Sequence, residues 1–141
     1  MIEYKLAKNN IDINNCFKIR NLVFVIEQGI SKEIEFDNED DKALHFIVYN
    51  DELPVATLRV LINNEKAHIG RVCVLKEYRN KSIGSSLLIN IESYLKKINI
   101  KEIYLYAQIQ AINFYTKIGY KQVGNSFYEA NIEHIKMIKN L

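Results

Sequence analysis

Tryptophan is absent from this sequence, and proline (one, Pro54), glycine (five) and cysteine (Cys16 and Cys73) are scarce. With so little proline and glycine, no stretch reads as a flexible linker or a low-complexity tract. Two isolated cysteines make neither a disulfide framework nor a CxxC site, which points to a reducing cytoplasm. Three isolated histidines (His45, His68, His134) lack the spacing of metal ligands, so no metal is expected. An excess of charge of one sign is missing too: 19 Lys and Arg face 17 Asp and Glu, leaving +2. That balance argues against a nucleic-acid or membrane surface as partner. The longest clean apolar runs, such as residues 22–26, fall far short of the ~20 residues needed to span a bilayer. The first residues carry no basic segment followed by an apolar one, so no secretion signal is expected. No repeat recurs at a period of roughly 20–50 residues.

What remains is an ordinary globular composition, 48% hydrophobic and 26% charged over 141 residues, which fits one domain over 1–141. At this length roughly 68–70% of the unfolded surface can be buried, enough for a core without staples. Alternation predicts a strand over residues 2–6. Apolar residues at Ile11, Cys16, Ile19, Val23, Phe24 and Ile26 predict a helix over 11–28, ended by Gly29. Residues 31–42 are acidic and predict an irregular or partly helical excursion. Three strands follow at 45–49, 55–62 and 67–75, joined by short polar turns that favour an antiparallel meander. A helix over 84–97 presents Leu87, Leu88, Ile91, Tyr94, Leu95 and Ile98 at spacings of three and four. A buried strand at 103–107, a short helix at 111–118 stopped by Gly119, and strands at 120–123 and 134–138 complete the chain. The order implies a mixed α/β sheet covered by helices.

The informative junction is Arg71-Val72-Cys73-Val74-Leu75-Lys76-Glu77-Tyr78-Arg79-Asn80-Lys81-Ser82-Ile83-Gly84-Ser85-Ser86-Leu87. A strand passes through a short basic loop into the start of an amphipathic helix. Helix N-termini present unpaired N–H groups and partial positive charge, which suit a phosphate. Ser82, Gly84, Ser85 and Ser86 let an anion approach the backbone, and Arg79 and Lys81 add charge. The same residues also suit simple capping, and spacing alone does not choose. Neither GxxxxGK[ST] nor GxGxxG is present.

Arg79-Asn80-Lys81-Ser82-Ile83-Gly84 resembles the acyl-CoA pyrophosphate signature Q/R-x-x-G-x-G/A of the GNAT superfamily of N-acetyltransferases. Arg71-Val72-Cys73-Val74 resembles that family's bulged central strand. Gln108-Ile109-Gln110-Ala111-Ile112-Asn113-Phe114-Tyr115-Thr116-Lys117-Ile118-Gly119-Tyr120 resembles its N-x-x-A-x-x-F-Y-x-x-x-G-F/Y segment. The resemblance implies an α/β (α+β) fold: a mixed, mostly antiparallel sheet of about 6–7 strands with about 4 helices. It implies acetyl-CoA as co-substrate and direct attack by an unidentified amine on its thioester. Backbone donors at Val72, Cys73 and Val74 would face the carbonyl. Arg79, Asn80, Lys81, Ser82, Ile83, Gly84 and Ser85 would hold the pyrophosphate, and Gln108 and Asn113 would assist. Tyr115 would protonate the leaving thiolate, whereas the Cys73 side chain reads as core packing rather than nucleophile. A homodimer is implied by resemblance only. Two departures stand out. Ser82 occupies the position of the signature's first glycine, which costs on the order of 1–2 kcal/mol if φ is positive there. Gln108 stands where the family often has Asn.

The base that takes the amine's proton is open among Glu27, Glu35, Asp37, His45, Glu129 and His134, or a water chain ending at one of them. The acidic stretch from Glu33 to Asp41 either attracts a cationic amine or is simply solvated. The rival reading is a catalytically weak or inactive CoA-ester-binding module, acting as a sensor or partner subunit. Ser82 favours it and Tyr115 opposes it.

Overall fold

The computed structural model describes residues 1–141. Strand β1 (Ile2–Ala7) leads to helix α1 (Asn10–Arg20), whose N-cap Asn9 accepts the Asp12 amide at 2.8 Å. The predicted long helix is present but changes pitch. After Arg20 it continues as a π-helical stretch, Asn21–Glu27, with the Gln28 amide bonded back to Val23 and the Ile30 amide to Phe24. Gly29, at φ +75°, ends it. The acidic excursion holds the single turn α2 (Lys32–Glu35) and a 3₁₀ turn (Asp40–Lys42).

Strands β2 (Leu44–Asn50), β3 (Leu53–Asn63) and β4 (Lys66–Val74) form the expected meander. Asp51 and Glu52, both at positive φ, make its first turn. Helix α3 (Ile83–Lys97) crosses to β5 (Glu102–Gln108), then α4 (Ile112–Ile118) leads into the hairpin β6 (Lys121–Glu129) and β7 (Ile132–Asn140). The sheet order is β1-β2-β3-β4-β5-β7-β6, antiparallel throughout except between β4 and β5. The hairpin strands run longer than their alternation suggests. Val123 faces Lys136 and Phe127 faces His134, so β6 carries two extra residues in between, and this bulge breaks the period.

Helix α3 buries Ile83, Leu87, Leu88, Ile91 and Leu95 against one face of the sheet. These join Leu58, Val60, Ile69, Ile103, Leu105 and Met137 in a cluster of 21 buried residues. Ile98 lies beyond the helix and is exposed, contrary to its place in the apolar pattern. On the other face, α1 and its π-helical extension bury Cys16, Ile19, Val23 and Phe24 over Ile47 and Cys73, a cluster of seven.

Candidate functional site

The site begins where the sheet comes apart. β4 and β5 run parallel and pair only at Lys66–Glu102, Ala67–Ile103 and His68–Tyr104. Beyond His68 the two strands separate, leaving a cleft of about 1580 Å³ between them. Backbone groups on both strand edges there are free of each other, as at any strand edge.

β4 also bulges at this point. Gly70 pairs with Arg59 and Cys73 with Thr57, so Arg71 and Val72 together oppose Leu58. Arg71 takes up the irregularity at φ +56°. Val72, Cys73 and Val74, which follow the bulge, line the cleft. Cys73 is buried in the core under α1, and that burial pushes its thiol far above the ordinary range, as befits a packing residue.

The loop into α3 closes one end. Asn80 and Ser82 both stand in the left-handed region, Ser82 at φ +63° with no capping bond from its side chain. The strain expected of a serine at this position is therefore present. At Gly84 the fit is close: a Cβ there would lie 3.3 Å from the Phe114 ring, which would have to shift slightly to admit it. Asn80, Ser82, Ile83, Gly84 and Ser85 line the cleft. Lys81 does not; its ammonium sits 5.5 Å from the Tyr78 ring centre. Arg79 lines the cleft but is already partnered. Its Nε donates to the Val74 carbonyl at 2.8 Å, and its two terminal nitrogens grip Glu27 at 2.7 and 2.6 Å. The guanidinium holds the Glu27 carboxyl below its usual range, and Glu27 lies outside the cleft lining.

Tyr115 comes from α4, buried edge-on against both Phe114 and Tyr120. It lines the cleft, no protein group bonds its hydroxyl, and burial raises its pKa well above that of a free phenol. A phenol held neutral in this way is a donor. Gln108, at the end of β5, lines the cleft and donates to Gln28 at 3.0 Å, whereas Asn113 is exposed and outside it. Among the base candidates, Glu35, Asp37, Glu129 and His134 line the cleft. The His134 Nδ1 lies 2.6 Å from the Ile132 carbonyl, which assigns the proton to Nδ1 and leaves Nε2 as the acceptor. His45 is buried elsewhere, with Nε2 against the Asp40 carbonyl and Nδ1 unpartnered.

Sequence reasoning misses the charged side of the cleft. Glu35, Asp37 and Asp40 do not form a solvated acidic lure; Arg20, Arg59 and Arg71 neutralise them. Arg20 donates to Glu35 at 2.9 Å and to Asp40 at 2.8 Å, with 1% of its side chain exposed. Arg59 grips both oxygens of Asp37 at 2.8 Å and reaches Asp40 at 2.9 Å, holding the Asp37 carboxyl down to about 2. The only visible signals are single arginines inside otherwise apolar strands, Leu58-Arg59-Val60 and Gly70-Arg71-Val72.

Residues 19–141 match the acetyltransferase (GNAT) domain family. The chain belongs to the GNAT acetyltransferase family. It is 32% identical over 136 residues to the uncharacterised N-acetyltransferase YjcF of Bacillus subtilis, covering 96% of this chain and 97% of that one. The crystal structure of Escherichia coli ElaA superposes with a TM-score of 0.87 at 26% identity, covering 99% of each chain. The PaiA N-acetyltransferase of Thermoplasma acidophilum, solved with coenzyme A, shares the fold at a TM-score of 0.76 and 21% identity, covering 100% of this chain and 99% of that one. The parted strands, the bulge and the loop before α3 are thus parts of a GNAT acetyltransferase domain, and the seven-stranded mixed sheet is the GNAT fold. No helix is long and apolar enough to cross a membrane.

Proposed function

We propose that this chain transfers the acetyl group of acetyl-CoA directly to a primary amine. The observation that carries the reading is the parting of β4 and β5 beside the Arg71–Val72 bulge, with Tyr115 lining the same cleft. A chain with two amides, such as pantetheine, suits the paired strand edges because it can add to them as a short strand does. The backbone of Asn80–Ser85 at the start of α3 suits a pyrophosphate, with the positive end of the helix behind it. PaiA, of the same fold, binds coenzyme A, and the loop residues here fit that role except Lys81, which lies outside the cleft, and Arg79, whose guanidinium is held by Glu27 and the Val74 carbonyl.

In the reaction the amine nitrogen bonds to the acyl carbon, the carbon–sulfur bond breaks, and sulfur keeps the electron pair. The amine loses one proton and the thiolate gains one. Backbone N–H groups along Val72–Val74 are the donors for the carbonyl oxygen as it gains charge. Tyr115, kept neutral by burial, supplies the proton to sulfur. His134 Nε2 is the acceptor for the amine's proton, directly or through water, because its Nδ1 proton is fixed by the Ile132 carbonyl. The second reading, a CoA-ester-binding module without turnover, draws on the strained Ser82.

Calorimetric titration with acetyl-CoA, with ATP and NAD as controls, tests the first step; selective binding near 1 μM, about −8 kcal/mol, is expected. Thiol release with a panel of primary amines tests the second. Binding without release from any amine supports the module reading, and no binding at all removes both.

A further inference from the structure

The three arginines beside the cleft differ in how completely they are used. Arg20 spends Nε, Nη1 and Nη2 on Glu35 and Asp40. Arg59 spends both terminal nitrogens on Asp37 and Asp40. Arg71 does not close its set. Its Nη2 donates to the carbonyls of Ile34 and Glu35 at 3.3 and 3.1 Å and to Asp37 at 3.3 Å. Its Nε lies 3.0 Å from Glu35 Oε2 without a hydrogen-bonding angle. Its Nη1 has no acceptor in the protein, and Arg71 is a cleft-lining residue with a fifth of its side chain exposed. A guanidinium stays charged at any working pH, so this fork presents a permanent donor to whatever enters.

The surroundings point the same way. His68 lines the cleft between Arg59, Arg71 and Lys136; burial and those three cations push its pKa down to about 4, so it adds no charge of its own. It stacks on Tyr104 at 4.5 Å and meets the edge of Tyr106, which meets Phe127 in turn. The carboxylates of Glu35, Asp37 and Asp40 are already matched, so they leave no negative field to draw a simple cation. Glu39 and Glu129 also line the cleft and suit an ammonium group.

We propose that the acceptor is an amine that also carries a carboxylate, and that Arg71 Nη1 donates to that carboxylate. Because Arg71 is itself the bulge residue, the contact fixes the acceptor relative to the neighbouring carbonyl donors. The proposal rests on the acyl-transfer reading for the amine's fate, while the carboxylate contact itself is open to a binding test.

The test uses the full chain and two pairs of probes, N-acetylglycine and N-acetyl-L-phenylalanine, each against its own amide. Binding is followed by calorimetry in the presence of coenzyme A, and L-phenylalanine and its amide are compared as acceptors. At least tenfold tighter binding of an acid than of its amide is expected, with a KM ratio of the same order, and the preference should fall as salt is raised. Arg71→Met should erase the preference while leaving acetyl-CoA affinity unchanged. Arg71→Lys, which keeps the charge if the Met variant fails to fold, should retain part of it. Equal binding of acid and amide by the wild type in both pairs overturns the proposal, as does a preference that survives in Arg71→Met. Acetyl-CoA binding without an acid preference removes this inference alone. An acid preference without acetyl-CoA binding removes the acyl-transfer reading and keeps the Arg71 site.

Discussion

Between the sheet and helices α3 and α4, 21 buried residues form one cluster, whereas on the side of α1 the cluster holds seven and gives way to three arginines and three carboxylates. Apolar packing is non-directional and indifferent to pH, so the first face supplies a firm bed for Tyr115 and for the loop before α3. Guanidinium–carboxylate pairs are directional, so the second face fixes angles as well as positions. It depends, however, on every charge being matched. One cleft borders both faces, lined by a buried phenol from the first and by fixed charge from the second.

The contrast can be broken most sharply at Tyr115, an apolar-face residue placed in a chemical role. Tyr115→Phe should lower turnover by about 10²–10⁴-fold in a thiol-release assay, with acetyl-CoA affinity and thermal stability nearly unchanged. An unaltered rate would return Tyr115 to the core as packing alone.

Stability separates the faces next. Arg20→Ala leaves Glu35 and Asp40 short of a buried partner and should cost about 3–5 kcal/mol by urea denaturation. Leu88→Ala, on the other face, should cost about 2–5 kcal/mol through lost burial and a cavity. The two losses should respond differently to Glu35→Gln: the Arg20 penalty shrinks in the double variant, while the Leu88 penalty simply adds. Additivity in both cases would mean that the ion pairs are not coupled.

Acid sharpens the distinction further. The folded Asp37 carboxyl titrates at about 2 against an unfolded 3.8, depressed by Arg59, so its contribution is complete above 3.8 and lost as pH falls towards 2. Asp37→Asn should therefore be less stable than wild type at neutral pH, with the gap closing between about pH 4 and 2. A constant gap over that range would detach Arg59 from the effect. Leu88→Ala should show no such window.

The smallest effect is expected at the loop. Ser82→Gly removes the cost of a side chain at φ +63° and should stabilise the chain by up to about 1 kcal/mol, with acetyl-CoA binding tightened a few-fold. Weaker binding in that variant would give the Ser82 side chain a contact of its own with the ligand.

Much of this molecule was written in local pattern. The spacing of Leu87, Leu88, Ile91 and Leu95 determined α3 and its buried face, because a helix repeats every 3.6 residues whatever surrounds it. Short polar turns determined the β2–β3–β4 meander, since chain reach leaves little else for strands so close in sequence. The Arg79–Gly84 and Ala111–Gly119 segments were legible because their residues act together within one loop and one helix. The tertiary structure alone decided where β4 and β5 part, that β7 lies between β5 and β6, and that Arg20, Arg59 and Arg71 meet Glu35, Asp37 and Asp40. Those charges lie between 15 and 36 residues apart in the chain, and no period links them. An acidic stretch looks the same in sequence whether water or a buried arginine answers it; packing supplies the answer, because only a closed core makes an unmatched charge expensive.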